Sequence, residues 1–207
     1  MTPPAPPRTL IFDLSEVIIA GIVGVEHPLA ARLGLPAAGL LDRFAGAQLD
    51  NLCRGLLSED AYLRFVIARA GWEISPAELA AFLRANFHKE VPGTEPILRA
   101  LAPHHQLVLL SDHCREWIAD IERIHPLLAL FEHRFYSFEL GSLKKEPSTF
   151  ATVLARLGRA AAECLLIDDS ETNTAVATRC GLRTIHFTGA ADLVFQLRAH
   201  GIALAPE

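Results

Sequence analysis

Acidic residues and a serine stand directly after short apolar runs of this chain, and a lysine lies in a polar loop between them. They are Asp13, Ser111, Asp112, Lys144, Asp168 and Asp169. Carboxylates can act as nucleophiles or hold a cation, while a hydroxyl and an ammonium group can bind an anion. Each residue alone has a plainer explanation as a turn residue, a helix N-cap or an acid at a helix N-terminus. Whether they form one site depends on the elements that position them.

Four apolar runs predict strands that are buried on both faces of a parallel sheet, because they lack polar alternation. The runs are 9–12, 106–110, 164–167 and 183–187. Helix-like segments separate the later runs, so the chain alternates strand and helix. In such a sheet a ligand lies beyond the carboxyl ends of the strands, where the polar residues above would meet. The sequence therefore predicts an α/β fold with a Rossmann-like parallel sheet flanked by helices.

An all-helical insertion is predicted between the first and second strands, because residues from about 26 to 90 show helical patterns without a convincing strand. The predicted helices are 38–52, 58–70 and 75–87, with two more in the core at 147–157 and 172–180. The helix at 75–87 begins with an N-cap serine, a first-turn proline and a glutamate placed for a capping box.

This pattern divides the chain into two predicted units. The core is discontinuous and comprises residues 1–20 and 91–207, while residues 21–90 form a small helical cap. Residues 91–93 are a candidate return hinge because they combine proline and glycine. The apolar start of the cap, residues 18–25, is expected to form a mobile flap, with a partner surface as the alternative.

The ordered set of motifs resembles the haloacid dehalogenase superfamily over the whole chain. The matching stretches are LIFDLSEVI (10–18), LVLLSDH (107–113), GSLKKEPSTF (141–150) and CLLIDDSETNTAVATRCG (164–181). Within that superfamily the chain looks like the sugar-phosphate phosphatase-like branch, in which a helical cap lies between the first two motifs. The segment LLSEDAY (56–62) suits such a cap.

The resemblance implies magnesium-dependent hydrolysis of a phosphoric monoester, a small phosphorylated metabolite, through an aspartyl-phosphate. The candidate catalytic residues are Asp13 as nucleophile, Ser15 and Lys144. The phosphate would be bound by Ser111, Asp112 and Lys144. The Mg²⁺ site would be formed by Asp13, the backbone carbonyl of Ser15, Asp168 and Asp169, supported by Asn173. Lys144 is preferred to Lys145 because the spacing of Gly141, Lys144 and Phe150 fits the motif. Lys145 stands where proline is usual and is interpreted as a solvated surface lysine.

One position departs from the pattern of the phosphatases. Ser15 stands where those enzymes have an aspartate that protonates the leaving oxygen and later deprotonates the hydrolytic water. Such help is worth about 10²- to 10⁴-fold, or about 3–5 kcal/mol of barrier, and a serine hydroxyl is too weak an acid to supply it. Glu16, His113 and Asp112 are candidate substitutes, with Glu16 expected to point differently in the turn. Asp112, where asparagine is usual, adds negative charge near the phosphate.

Two functions of different classes therefore stay open. The first is a hydrolase of low or specialised activity, and the second is a non-catalytic module that binds a phosphorylated ligand or a protein partner. A dehalogenase, which needs no second aspartate, is a third and less favoured reading. It does not account for the acidic pair Asp168 and Asp169, and no arginine closely follows the first motif to cradle a halide.

Composition excludes several other classes. With 207 residues, 51% of them apolar and 21% charged, the chain suits one soluble globular unit with an accessory. Its formal charge of -5 and the absence of basic runs argue against nucleic acid as a partner. No apolar stretch is long enough for a membrane span, and only a proline-rich segment precedes the first strand, so we expect a cytoplasmic protein. The four cysteines and nine histidines lack paired metal-binding spacings, and oligomeric state stays open.

Overall fold

The computed structural model describes residues 6–204, so the start of the proline-rich segment lies outside the described residues. The predicted strands are present and a fifth joins them. They are β1 (Thr9–Phe12), β2 (Gln106–Ser111), β3 (His133–Tyr136), β4 (Cys164–Asp168) and β5 (Arg183–His186). All neighbouring strands are parallel, in the order β3-β2-β1-β4-β5. The sequence patterns do not predict β3, because two of its four residues are exposed at the sheet edge.

The register of the sheet brings the ends of three strands level with one another. Phe12 pairs with Leu109 of β2 and with Ile167 of β4, so the residues that follow each strand lie side by side. Strand order reverses beside β1, where the chain crosses to β2 on one side and β4 on the other. Such a switch point leaves a crevice at the carboxyl edge of the sheet.

Helices cover both faces of the sheet and form the insertion. Those of the insertion are α1 (Glu26–Leu33), α2 (Ala47–Cys53), α3 (Glu59–Ala70) and α4 (Pro76–Phe87). Those of the core are α5 (Thr94–Leu101), α6 (Arg115–Ile124), α7 (Ser137–Leu140), α8 (Pro147–Leu157), α9 (Glu171–Arg179) and α10 (Ala190–Ala199). The Ser75 hydroxyl accepts a hydrogen bond from the Glu78 amide at 3.2 Å, which is the predicted N-cap of α4.

One prediction about the insertion is wrong, and one of its helices is not predicted. Residues 38–52 do not form one helix, because a 3₁₀ turn at Leu41–Arg43 is separated from α2 by Gly46 at φ 117°. The segment before it contains α1, which the patterns do not predict because Val25 provides no side-chain cap.

Two adjacent chain segments connect the insertion to the core. The Ala20 amide donates to the Lys89 carbonyl at 2.8 Å, and the Val91 amide donates to the Ile18 carbonyl at 2.9 Å. The return segment then turns at Gly93, where φ is 84° and a Cβ would lie 2.8 Å from the Cβ of Ala190. Only glycine fits there without a shift. The division into a core and a cap at residues 20–21 and 90–91 stays a prediction.

The apolar segment 18–25 is packed rather than free. Ile18, Ile19 and Val25 are buried in the core, while Val23 is 57% exposed. This packing leaves no continuous apolar surface for a partner, so that alternative is wrong for most of the segment. Motion of the segment as a flap stays a prediction.

No helix among residues 6–204 combines the length and apolar character needed to cross a bilayer. The cytoplasmic location stays a prediction. All four cysteines are free, and Cys180 is half-buried while the other three are buried.

Candidate active site

Three predicted site residues meet at the carboxyl edge of the sheet. Asp13 follows β1, Ser111 ends β2, and Asp168 ends β4. The Asp13 amide donates to the Ile167 carbonyl at 2.9 Å, which extends the pairing of β1 and β4 by one residue. The Leu14 amide in turn donates to Oδ1 of Asp13 at 2.6 Å and fixes the carboxylate in place. The predicted meeting of these residues is therefore present.

Lys144 joins two of the carboxylates from a loop between α7 and α8. Its Nζ lies 2.6 Å from Oδ2 of Asp13 and 2.6 Å from Oδ2 of Asp168. The lysine is 1% exposed. Burial by itself lowers the pKa of Lys144, but the charges of Asp13, Asp168 and Asp112 outweigh burial and raise it. The ammonium group therefore stays protonated between the two carboxylates.

Asp112 positions the loop that carries this lysine. Its carboxylate oxygens accept hydrogen bonds from the Lys144 backbone amide at 3.1 and 3.3 Å. Burial raises the pKa of Asp112, and the Lys144 charge opposes that effect. Lys145 points away, toward the cap, where its Nζ lies 2.6 Å from Oδ2 of Asp50. It is half-exposed at the surface, but it is paired.

Three carboxylates form a cluster that fits a hard divalent cation. Asp13, Asp168 and Asp169 each offer one oxygen, and these oxygens all lie within 4.8 Å of one another. Burial and the charge of Asp168 raise the pKa of Asp169. Burial, opposed by Lys144 and reinforced by Asp168, likewise raises the pKa of Asp13. Oxygen donors crowded in this way suit Mg²⁺, whose charge would offset their repulsion.

Two hydrogen bonds orient Asp168 within this cluster. Its Oδ1 accepts from the Ser170 amide at 2.9 Å and from Nδ2 of Asn173 at 3.1 Å. Ser170 is the N-cap of α9, and its hydroxyl accepts from the Asn173 amide. The start of α9 therefore holds a carboxylate whose remaining oxygen faces Lys144.

His113 connects the predicted phosphate serine to the position of the missing aspartate. Its Nδ1 lies 2.7 Å from the Ser111 hydroxyl, and its Nε2 lies 3.2 Å from the Ser15 hydroxyl. The ring is buried against Phe87 and Trp117. Burial, with a smaller effect from the charge of Lys144, lowers the pKa of His113 to about 3. The imidazole is therefore neutral at neutral pH.

A neutral imidazole has one donor and one acceptor nitrogen, so the two serines must play opposite parts. When the Ser111 hydroxyl donates to another oxygen, it accepts from Nδ1–H of His113. Nε2 then accepts from the Ser15 hydroxyl. This arrangement orients three polar groups, but it leaves no acidic proton beside a leaving group.

Glu16 lies at the edge of the same region in a left-handed backbone conformation, with φ 58°. Its Oε1 accepts from the Gly21 amide at 2.8 Å. A Cβ at Gly21 would lie 2.8 Å from that oxygen and 2.9 Å from the Ser15 Cβ, so glycine is needed at this contact. Burial raises the pKa of Glu16. As expected, its carboxylate is turned back, toward the segment that enters the cap.

A cavity of about 310 Å³ lies beside Ser15 and His113, between the core and the insertion. This volume is near the lower end of the range of about 300–1,000 Å³ that is usual for small-molecule sites. Its apolar walls come from four distant parts of the chain. They are Ile22, Val23, Leu49, Cys53, Trp117 and Leu143. No local pattern in the sequence identifies this wall, because only the fold brings these residues together.

The insertion is fastened to the core around this cavity. Glu59 of α3 accepts a hydrogen bond from Nε1 of Trp117 at 2.9 Å and is itself paired with Arg84 of α4 at 2.6 Å. Arg54, just after α2, pairs with Glu146 before α8. These contacts hold the cavity walls against the carboxyl edge of the sheet.

Comparison with known proteins connects this geometry to hydrolases. The chain is 25% identical over 194 residues to a chloroplast flavin mononucleotide hydrolase of Arabidopsis thaliana, covering 93% of this chain and 77% of that protein. A protein from Porphyromonas gingivalis described as a predicted HAD-like family hydrolase superposes with a TM-score of 0.76 at 21% identity, over 94% of this chain and 98% of the other. No protein-family profile matches the chain.

A second structure contains the ligands that the motifs imply. It is a HAD-family enzyme of Bacteroides thetaiotaomicron in complex with magnesium and inorganic phosphate, with a TM-score of 0.71 at 22% identity over 88% of this chain and 94% of the other. Structures of dehalogenases also share the fold. The similarity of motifs and the superpositions agree: this chain has the haloacid dehalogenase fold, with a helical insertion after its first strand.

Proposed function

We propose that this protein is a magnesium-dependent phosphoric-monoester hydrolase that acts through an aspartyl-phosphate on Asp13. The observation that carries the proposal is the buried arrangement around Lys144, whose Nζ lies 2.6 Å from both Asp13 and Asp168. Together with Asp169 it combines a nucleophile, a fixed positive charge and a cluster of hard oxygen donors. Attack by a carboxylate on a phosphate needs such charge compensation.

In the first step an oxygen of Asp13 attacks phosphorus, and the bond from phosphorus to the leaving oxygen breaks. The Leu14 amide and Lys144 hold the Asp13 carboxylate in one orientation for this attack. Ser111 donates a hydrogen bond to a phosphoryl oxygen, and Asp13, Asp169 and the backbone carbonyl of Ser15 would hold Mg²⁺, with Asp168 beside them. Bound there, Mg²⁺ supplies positive charge to the phosphate.

In the second step water attacks phosphorus and releases the Asp13 carboxylate and inorganic phosphate. Both steps move a proton on the side of the site where Ser15 stands. Ser15 has no acidic proton, and its neighbour His113 is neutral. We therefore expect slow turnover of esters whose alcohol must be protonated to leave.

The substrate is a small phosphorylated metabolite that fits the cavity beside Ser15. Flavin mononucleotide is the first compound to test, because a relative of 25% identity is named as its hydrolase. The second candidate function is a module that binds a phosphorylated ligand or a protein partner without turnover. The Ser15 and His113 arrangement favours that alternative, since it keeps the phosphate site and removes proton delivery.

The test is phosphate release from a panel that includes flavin mononucleotide, with magnesium or with a chelator. We expect release that needs magnesium and falls by at least about 10³-fold in Asp13→Asn, which removes the nucleophile. Asp60→Asn is the matched control, since Asp60 is exposed on α3 and pairs with Arg64 at the surface.

Equal release from Asp13→Asn and the wild type would contradict the proposed mechanism. An inert wild type that still binds inorganic phosphate with magnesium would support the binding module instead. Halide release from a 2-haloacid, without any phosphate release, would support a dehalogenase.

A further inference from the structure

Acidic residues outnumber basic ones in the wall of the cavity beside Ser15. Three acidic residues contribute to that wall, namely Glu16, Asp50 and Asp112. In the part of the chain that the structure describes, Lys145 is the single basic side chain in its wall, and its Nζ already pairs with Asp50 at 2.6 Å. An anion that enters this cavity beyond the phosphate position therefore meets three acidic residues and, among the described residues, no unpaired lysine or arginine of the wall.

The remaining wall of the cavity is apolar. Val23 and Ile22 face it from the segment entering the insertion, Leu49 from α2, and Trp117 from α6. Apolar surface of this kind stabilises a ligand in proportion to the apolar area that it covers. A ligand whose organic part is a polyol would place hydroxyl groups, and not apolar atoms, against this surface.

We infer that the cavity selects phosphate monoesters whose organic part is uncharged and largely apolar, and that it rejects compounds with a second anionic group. This inference rests on the proposed function, in which the phosphate binds at Asp13 and Lys144 and the organic part extends past Ser15. It names a substrate class, aryl and other apolar monophosphates, and excludes bisphosphates, nucleoside diphosphates and phosphorylated acids. Like charges brought together at a binding site oppose binding strongly.

Phosphonates provide a direct test, because their carbon–phosphorus bond is not hydrolysed and binding is read without turnover. Calorimetric titration with magnesium would compare 4-carbamoylphenylphosphonate with 4-carboxyphenylphosphonate. The two have nearly the same shape and differ by one negative charge. We expect the carboxylate to bind at least about tenfold more weakly. Equal affinity of the two compounds would overturn the inference.

Asp50→Asn tests whether the acidic wall causes the difference in affinity between the two aryl phosphonates. The substitution removes one carboxylate from the wall and frees Lys145 from its partner. We expect the ratio of the two affinities to fall by at least about threefold, because both changes favour the anion. Asp60→Asn is the matched control, since this exposed acid of α3 lies outside the cavity wall and should leave the ratio unchanged. A ratio that is the same in Asp50→Asn and in the wild type would contradict the assignment.

Val23→Ser tests the apolar wall. Val23 is 57% exposed, so the substitution should not disturb the core. We expect phenylphosphonate to bind about threefold more weakly, with methylphosphonate unaffected, because only the phenyl ring reaches the wall. Leu56→Ser is the control, since Leu56 is 73% exposed and lies outside this cavity. An equal loss for both phosphonates would count against an apolar subsite.

Inorganic phosphate separates failure of the inference from failure of the proposed function. If inorganic phosphate binds with magnesium but the two aryl phosphonates bind equally, only the inferred selectivity is wrong. If neither inorganic phosphate nor any phosphonate binds, the proposed function fails and the inferred substrate class fails with it.

Discussion

The two ends of the candidate site differ in how completely their polar groups are paired. At the phosphate end, Asp13, Lys144 and Asp168 are buried and hold one another at 2.6 Å. At the leaving-group end, the Ser15 hydroxyl has one longer side-chain contact among the described residues, of 3.2 Å to a neutral histidine, and it borders a cavity. In the proposed mechanism the first end carries the attack on phosphorus. The second end lacks the group that would move a proton, so attack and proton delivery would be separated in one fold.

The contrast also concerns charge. The phosphate end balances its carboxylates with a buried lysine and with the cation that they would hold. The leaving-group end is lined by the acidic residues Glu16 and Asp50, and Lys145, its one lysine or arginine among the described residues, is already paired. One end therefore attracts an anion and the other opposes a second one.

Breaking the phosphate end should have the largest effect on stability. Lys144→Met leaves Asp13 and Asp168 buried without their shared cation. Removing one partner of a buried pair costs about 3–5 kcal/mol, so we expect a loss of that size in the free energy of unfolding. Urea denaturation in a chelator would measure it.

The neighbouring lysine is the matched control. Lys145→Met removes a half-exposed pair with Asp50, and such pairs contribute only about 0–1 kcal/mol. Equal losses for the two substitutions would mean that Lys144 is not held as the geometry indicates.

The two serines that contact His113 should also differ, by a smaller amount. Ser111→Ala leaves Nδ1 of the buried histidine without its 2.7 Å partner, and an unsatisfied buried group costs about 1–3 kcal/mol. Ser15→Ala removes the partner at the other end of the same ring, where the cavity admits water, so we expect a loss below about 1 kcal/mol. Thermal or urea unfolding of both variants checks the order. A larger loss for Ser15→Ala would reverse the comparison between the two ends.

The residues of the phosphate end could be predicted from the sequence because each stands beside a recognisable local sequence pattern. Asp13 and Asp168 end apolar runs that form central strands, and strands of this kind are recognised by their unbroken apolar character. Lys144 could be distinguished from Lys145 by its spacing from Gly141 and Phe150. The structure places its Nζ between Asp13 and Asp168.

The leaving-group end could be predicted only in part. The motifs indicate Ser15 and the candidate His113. Their side chains are 3.2 Å apart in the structure but 98 positions apart in the sequence, so no local pattern predicts the contact. The ion pair of Lys145 with Asp50 depends on how α2 packs against the core. The periodicity of apolar residues in the sequence does not predict that packing. The helix predicted at 38–52 is broken at Gly46. The edge strand β3 lacks an apolar run because two of its four residues are exposed to solvent.

The most direct test of the central claim is the dependence of catalysis on the leaving group, measured as kcat/KM for the wild type and for Ser15→Asp. The two substrates are 2-phenylethyl phosphate, whose alkoxide must be protonated, and 4-nitrophenyl phosphate, whose phenolate leaves unaided. Because kcat/KM reports the steps up to departure of the alcohol, we expect Ser15→Asp to raise it by about 10²- to 10⁴-fold for the alkyl ester and far less for the nitrophenyl ester. Equal gains for the two esters, or no gain for the alkyl ester, would contradict the claim that this site has kept its nucleophile and lost its proton donor.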